Sequence, residues 1–295
     1  MKEQTSTIKS NILSNILEKN RFMRELCLNR KMLFSFIILL IFIFLGVLGK
    51  WIAPYDPTKS NYSSLLQSPN IKHFFGTDEL GRDEFSRLIY GTQITLEVAI
   101  IAVLITMIVG TIIGLTAGYF GGIIDNILMR IMDVLLALPG IILAMSIVSI
   151  LGPSLINAMI AVGIAGIPGF ARLTRSATLS VKSLTFVEAS KAIGTTNSRI
   201  LFYQILPNIM GTILVYTTLH VGIAILDTAA LSFIGLGAQP PLSEWGSMLS
   251  DGKQFITQAW WLVTFPGLAI TVVVYACNIF GDCLRDMYDP KLKER

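Results

Sequence analysis

Few residues of this chain could do chemistry, and those that could stand in apolar surroundings. Asp227 lies 18 residues after Ile209 in an almost unbroken apolar run, roughly 27 Å along a helix at about 1.5 Å per residue. A carboxylate at mid-membrane costs about 2.5–3.5 kcal/mol on insertion scales, and less near an edge. Such a group faces a bundle interior or water, so Asp227 is a candidate for a translocation path near an external gate. The alternative is a carboxylate paired locally at the interface. Glu97 stands nearer a span end, where anchoring suffices. His220, one of two histidines, is a candidate path residue or a hydrogen-bonded packing residue; His73 is too distant in sequence to define a site with it. Cys27, Cys277 and Cys283 show neither CxxC spacing nor a histidine cluster, so they read as packed thiols rather than metal ligands. No metal constellation occurs. The chain has no G-x-x-x-x-G-K-[ST] loop to hold ATP phosphates and no nucleophile–base arrangement. No catalytic residue and no cofactor is therefore expected in the chain itself, which is not an enzyme on its own.

Another kind of signal occupies residues 185–194, TFVEASKAIG. Thr185 and Glu188 have the spacing at which a hydroxyl and a carboxylate cap a helix start reciprocally. Gly194 stands where a helix ends in a left-handed residue. Beyond it, Asn197–Leu206 predicts a second short helix, ended by Pro207 as the next apolar run begins. A helix, a glycine bend and a second helix suit a protein that passes force to a partner. A protein that only held ions or lipid would not need them.

The elements that position these residues are membrane helices. The chain is 53% hydrophobic and 14% charged, against roughly 25% charged for a soluble domain. A spanning helix needs about 20 mostly apolar residues, and six such runs occur, near 32–52, 94–119, 127–150, 154–171, 209–236 and 260–281. The first run is too long for a cleaved signal and reads as a retained span. Gly110, Gly114 and Gly118 recur every fourth residue, the small-xxx-small spacing of close helix packing in lipid. An all-α bundle is the expected fold. Residues 1–31 would form a polar tail with a short amphipathic helix, 32–93 the first span and a large loop, 94–284 a five-span core, and 285–295 a C-terminal tail. Lysine and arginine number 23 in all. Seventeen fall on the side shared by both termini and six on the other, so both termini are expected in the cytoplasm. The net charge of +4 gives no reason to expect nucleic acid.

The connections are unequal. Lys50–Gln93 and Gln239–Ala259 lie outside in this scheme, whereas 173–207 is a cytoplasmic connection too long to lack helices of its own. Phe85, Leu88 and Ile89 recur at i, i+3, i+4, which predicts a helix over Asp83–Tyr90 lying on the bilayer surface. Asp78, Arg82 and Asp83 nearby, and Trp245 in AQPPLSEWG, suit interfacial anchoring. Arg130 and Asp133 can pair across one turn, with Asp125 close by. Pro139 can kink the third span.

The segment E-A-S-x-x-x-G at 188–194, followed by I-L-P at 205–207, resembles the EAA loop of permease subunits in binding-protein-dependent ABC importers. APYDP at 53–57, FGTDELGRDEFSRLIYG at 75–91, GYFGG at 118–122, LALPG at 136–140, LSFIGLGAQPPLSEWG at 231–246, FPGLAI at 265–270 and GDCLRDMYDPKL at 281–292 extend that resemblance over most of the chain from residue 32. They are similar to the oligopeptide, dipeptide and nickel type, and to its second permease subunit. Ser190 stands where the pattern has a second alanine, and Gln204 where it has isoleucine. The resemblance implies a six-span permease in a bacterial cytoplasmic membrane. It implies a heterodimer with a second permease, two ATP-binding subunits that carry ATP and magnesium, and an extracytoplasmic substrate-binding protein. It also implies that Thr185, Glu188, Ala189, Ser190, Gly194, Leu206 and Pro207 form the contact with the ATPase, and it makes Asp78, Arg82, Asp83 and Trp245 candidates for docking the external binding protein, with interfacial anchoring as the alternative. Peptides are the implied cargo, with nickel or a chelated metal as the alternative. Rival readings are a self-sufficient secondary transporter or channel, and a membrane scaffold without transport.

Overall fold

The computed structural model describes Leu26 and residues 28–288; the expected amphipathic helix of the N-terminal tail falls outside them. Helix α1 (Arg30–Ile52) starts at Asn29, whose side-chain oxygen caps the amides of Lys31 and Met32. Helix α2 covers Glu84–Phe120. A sharp turn at Gly121 leads into α3 (Gly122–Leu136) and α4 (Gly140–Leu151). Helix α5 runs Leu155–Lys182 and α6 Thr185–Ala192. Then α7 (Asn197–Ile200), a π-turn (Leu201–Ile205) and α8 (Leu206–Phe233) follow without interruption. The short α9 (Trp245–Gly252) and the long α10 (Trp261–Tyr288) complete the described chain. Among the described residues, five helical stretches are long and apolar enough to cross a membrane, or six if α3 and α4 form one broken span.

Four sequence expectations change. The surface helix over Asp83–Tyr90 is not separate: it is the first two turns of the 37-residue α2, about 55 Å long and well beyond the ~30 Å hydrocarbon core. Its apolar stripe packs on protein rather than lipid, Phe85 against Phe75 at 5.0 Å between rings and Ile89 against Gly49. The third span does not merely kink; α3 and α4 meet at 88°, because the residue before Pro139 is driven out of helical geometry. Helix α5 passes residue 171 and continues to Lys182. The helix after Gly194 does not stop at Pro207. Proline lacks an N–H and its ring crowds the carbonyl four residues back. The π-turn, in which the Leu206 amide bonds to the Leu201 carbonyl, widens the helix just ahead of it.

Packing between α2 and α5 follows one register. Thr106 Oγ1 donates to the Gly163 carbonyl, 57 residues on, at 2.7 Å. A Cβ added at Gly110, Gly114 or Gly118 would lie 3.3, 2.5 or 3.0 Å from the carbonyl oxygens of Ile167, Ala171 and Arg175, each again 57 residues on. The two helices are therefore parallel, with backbones closer than any side chain at these glycines allows, as the spacing predicted.

Candidate functional site

The α6 end of the bundle carries the expected loop. Thr185 is the first helical residue of α6 and Leu184 its N-cap, without a side-chain cap bond. The reciprocal Thr185–Glu188 box is therefore not formed: the helix begins one residue too early for it. Glu188 still sits in the first turn, where a carboxylate suits the positive end of the helix dipole. The C-terminus is as predicted. Gly194 has φ +81°, its amide bonds to the Lys191 carbonyl, and the Thr195 amide reaches back to Ser190, both at 3.0 Å. Those two bonds constitute a Schellman motif.

One face of α6 grips the bundle. Val187 is wholly buried in a cluster with Tyr119, Ile200 and Ile205. Tyr119 donates from its hydroxyl to Asn197 Oδ1 at 2.7 Å, and Lys191 Nζ lies 5.1 Å from its ring centre. The other face is open: Phe186, Glu188 and Ala189 are exposed, and Ile193 is 82% exposed. Leu206 and Pro207 stand further along the chain, with Pro207 exposed. They form the first turn of α8, with Leu206 half-buried. Arg130 and Asp133 do not pair within α3. Asp133 binds Arg172 and Asp125 binds Arg175, both across to α5, because α5 continues far enough to bring those arginines alongside.

At the opposite end, residues 53–83, the start of α2 and α9 close into a cap. Asp78 is 0% exposed; its carboxylate accepts from Arg82 Nε and Arg87 Nη1, both at 2.6 Å. Arg87, 2% exposed, also donates to Asp251 Oδ2 at 3.3 Å and Ser243 Oγ at 3.4 Å. Asp83 caps α2 through the Ser86 amide at 2.8 Å and meets His73 Nδ1 at 2.9 Å. Trp245 is 0% exposed, with its indole N–H donating to the Leu88 carbonyl at 3.1 Å. Asp78, Arg82, Asp83 and Trp245 are thus brought together as an interior. All four are buried, so their side chains present neither a docking surface nor an interfacial belt. Burial pushes the Glu79 carboxyl above its ordinary value. Burial does the same to Glu244, opposed by the Gly246 and Ser247 amides that donate to it.

Between the two ends, α8 carries a polar face. Thr212, Tyr216, His220 and Asp227 recur at intervals of four, four and seven, which places them on one side of the helix. Asp227 is half-buried and has no ion-pair partner among the described residues. His220 stacks on Tyr216 at 5.6 Å between ring centres and packs on Gly166, where a Cβ would come within 2.5 Å of its Nε2. Its Nδ1 is buried without a hydrogen bond. The α6 end of this face opens into a cavity of about 800 Å³ lined by Asn208, Thr212, Tyr216, Arg285 and Tyr288. Thr212 and Tyr216 were missed from sequence, although their i, i+4 relation to His220 is the signal that finds them.

Residues 110–294 match the family model described as binding-protein-dependent transport system inner membrane component, and residues 20–69 match the N-terminal TM domain of oligopeptide transport permease C. The dipeptide transport system permease protein DppC of Alkalihalophilus pseudofirmus is 47% identical over 92% of this chain and 89% of that protein. The di/tripeptide transport system permease protein DppC of Pseudomonas aeruginosa is 42% identical over 92% of both. The glutathione transport system permease protein GsiD of Shigella flexneri is 48% identical over 88% of this chain and 85% of that protein. A chain from the inward-facing MetNI methionine ABC transporter shares the fold, with TM-score 0.56 at 20% identity over 69% of this chain and 97% of that one.

Proposed function

From the premise that the chain belongs to the family of binding-protein-dependent transport system inner membrane components, we propose that it is one permease subunit of an ATP-driven importer of di- or oligopeptides. It pairs with a second permease, takes its power from two ATP-binding subunits that hold ATP and magnesium, and receives cargo from an extracytoplasmic binding protein. Both termini and α6 lie in the cytoplasm, as the basic-residue count supports. The peptide cargo is supported by three relatives named for dipeptides, di/tripeptides and glutathione, which favour peptides over nickel.

The observation that carries this reading is mechanical. The open face of α6 is available to an ATPase, while its buried face packs on a helix that runs unbroken from Asn197 to Phe233. A displacement imposed on α6 therefore reaches the Thr212–Asp227 face, which serves as this subunit's wall of the translocation path. ATP-driven closure of the ATPase pair moves α6, and alternating access of the path follows. The test is Glu188→Ala and Gly194→Val in the assembled, reconstituted complex. Valine at φ +81° is strained in otherwise open space. Both variants are expected to keep hydrolysing ATP while peptide uptake falls. Normal uptake by both, at normal complex levels, removes the coupling role.

A further inference from the structure

Ser190 and Gln204, the two positions at which the loop departs from the EAA pattern, touch each other. Gln204 Nε2 donates to Ser190 Oγ at 2.8 Å across 14 residues of chain, and that hydroxyl donates in turn to the Phe186 carbonyl at 2.9 Å. One partner lies on α6 and the other in the π-turn that leads into α8. Gln204 is anchored further by Asn208, whose Nδ2 donates to its main-chain oxygen at 2.6 Å. Its side-chain Oε1, however, is buried with no partner.

An unsatisfied buried acceptor costs stability, whereas apolar groups at both positions would cost little. The glutamine is thus a poor choice for holding the loop together. It does supply direction. Burial of Val187 and the Lys191 ammonium near the Tyr119 ring hold α6 against the bundle, but apolar contact is non-directional and does little to stop the helix rolling about its own axis. A hydrogen bond from the π-turn to the third-last residue of α6 stops that roll.

We infer that Gln204, acting through Ser190, is a positioning residue that latches α6 to the helix entering α8, so that movement of the loop is transmitted rather than dissipated. This rests on the coupling role proposed above.

The experiment measures peptide imported per ATP hydrolysed by the whole reconstituted complex, together with its thermal midpoint, for Ser190→Ala, Gln204→Ala, the double variant and Ser190→Thr. One net hydrogen bond corresponds to about a fivefold change in the latched population. Each single alanine variant is expected to lower the ratio by up to that factor, the double variant no further, and Ser190→Thr, which keeps the hydroxyl, not at all. The midpoint of the double variant, which strands no polar group, should stay at the wild-type value. Wild-type ratios in both single variants, or a double variant whose loss is the product of the two, overturn the latch. Gly194→Val separates the two ideas. If it too leaves coupling intact, the loop is not the coupler; if it uncouples while the alanine variants do not, the latch alone fails.

Discussion

Replacing Arg87 by alanine should open the cap without disturbing the spans. The guanidinium is 2% exposed and serves Asp78 at 2.6 Å, Asp251 at 3.3 Å and Ser243 at 3.4 Å. It is also the cation 3.7 Å from Glu84, whose Oε2 has no hydrogen bond. Without it, Asp78 keeps Arg82, but Glu84 and Asp251 lose their neighbour. Breaking a buried pair from one side costs about 3–5 kcal/mol, or about two to three and a half decades at ~1.4 kcal/mol per decade. That cost falls on local opening, because the bonds made by Arg87 tie residues 53–91 to α9 and not α2 to α5. Hydrogen exchange in nanodiscs reads it directly. The amides of Asn61, Leu66, Thr77 and Asp78 bond to carbonyls within the cap and should lose about 10²–10³ in protection. Amides of α5 and α8 should not change. Loss below about tenfold, or equal loss in α5, refutes the view that this cluster is what holds the cap shut. Arg87→Lys keeps a charge but not the fork, and should fall between.

Gly114→Leu should prevent α2 and α5 from closing, since even a Cβ would lie 2.5 Å from the Ala171 carbonyl. Overpacking of that kind costs about 1–3 kcal/mol or more, read as a lowered melting midpoint and reduced recovery of the complex. The cap should lose stability as pH rises. Glu244 has a folded carboxyl value raised by burial, so its contribution is fully present below the ordinary 4.5 and is lost as pH climbs through the raised value. Glu244→Gln retains an acceptor oxygen and should flatten that dependence, measured as midpoints at about pH 5 and about pH 8.

Five of the six spans were legible as single helices because an apolar run of bilayer length has one use, the third being broken at Pro139, and the glycine spacing announced a close helix contact. The identity of that contact was not legible: nothing in residues 110–118 says that the partner lies 57 residues ahead. The cap was misread for a physical reason. Asp78, Arg82 and Asp83 look like surface charges until the fold buries them, with Arg87 bridging Asp78 to Asp251, 164 residues further on. Trp245 resembled an interface anchor because the fold-back of α9 onto α2 leaves no periodic trace. The end of α6 was readable from Gly194, since left-handed geometry asks for glycine, whereas its start was off by one residue, within the ordinary fraying of helix ends. Ser190 and Gln204 were each visible as departures from a pattern. Their contact depends on a π-turn, and no residue type marks one.

The central claim is that the open face of α6 meets an ATP-hydrolysing subunit. Its most direct test is a photo-crosslinking amino acid at Ile193, 82% exposed, in the native membrane, with the same probe at Ile150 near the end of α4, 84% exposed, as control. The account predicts a crosslink from position 193 to a chain bearing a Walker motif, altered in yield when ATP is trapped, and none from position 150. A probe at 193 that captures no such chain, in membranes where the importer is assembled and active, would contradict it.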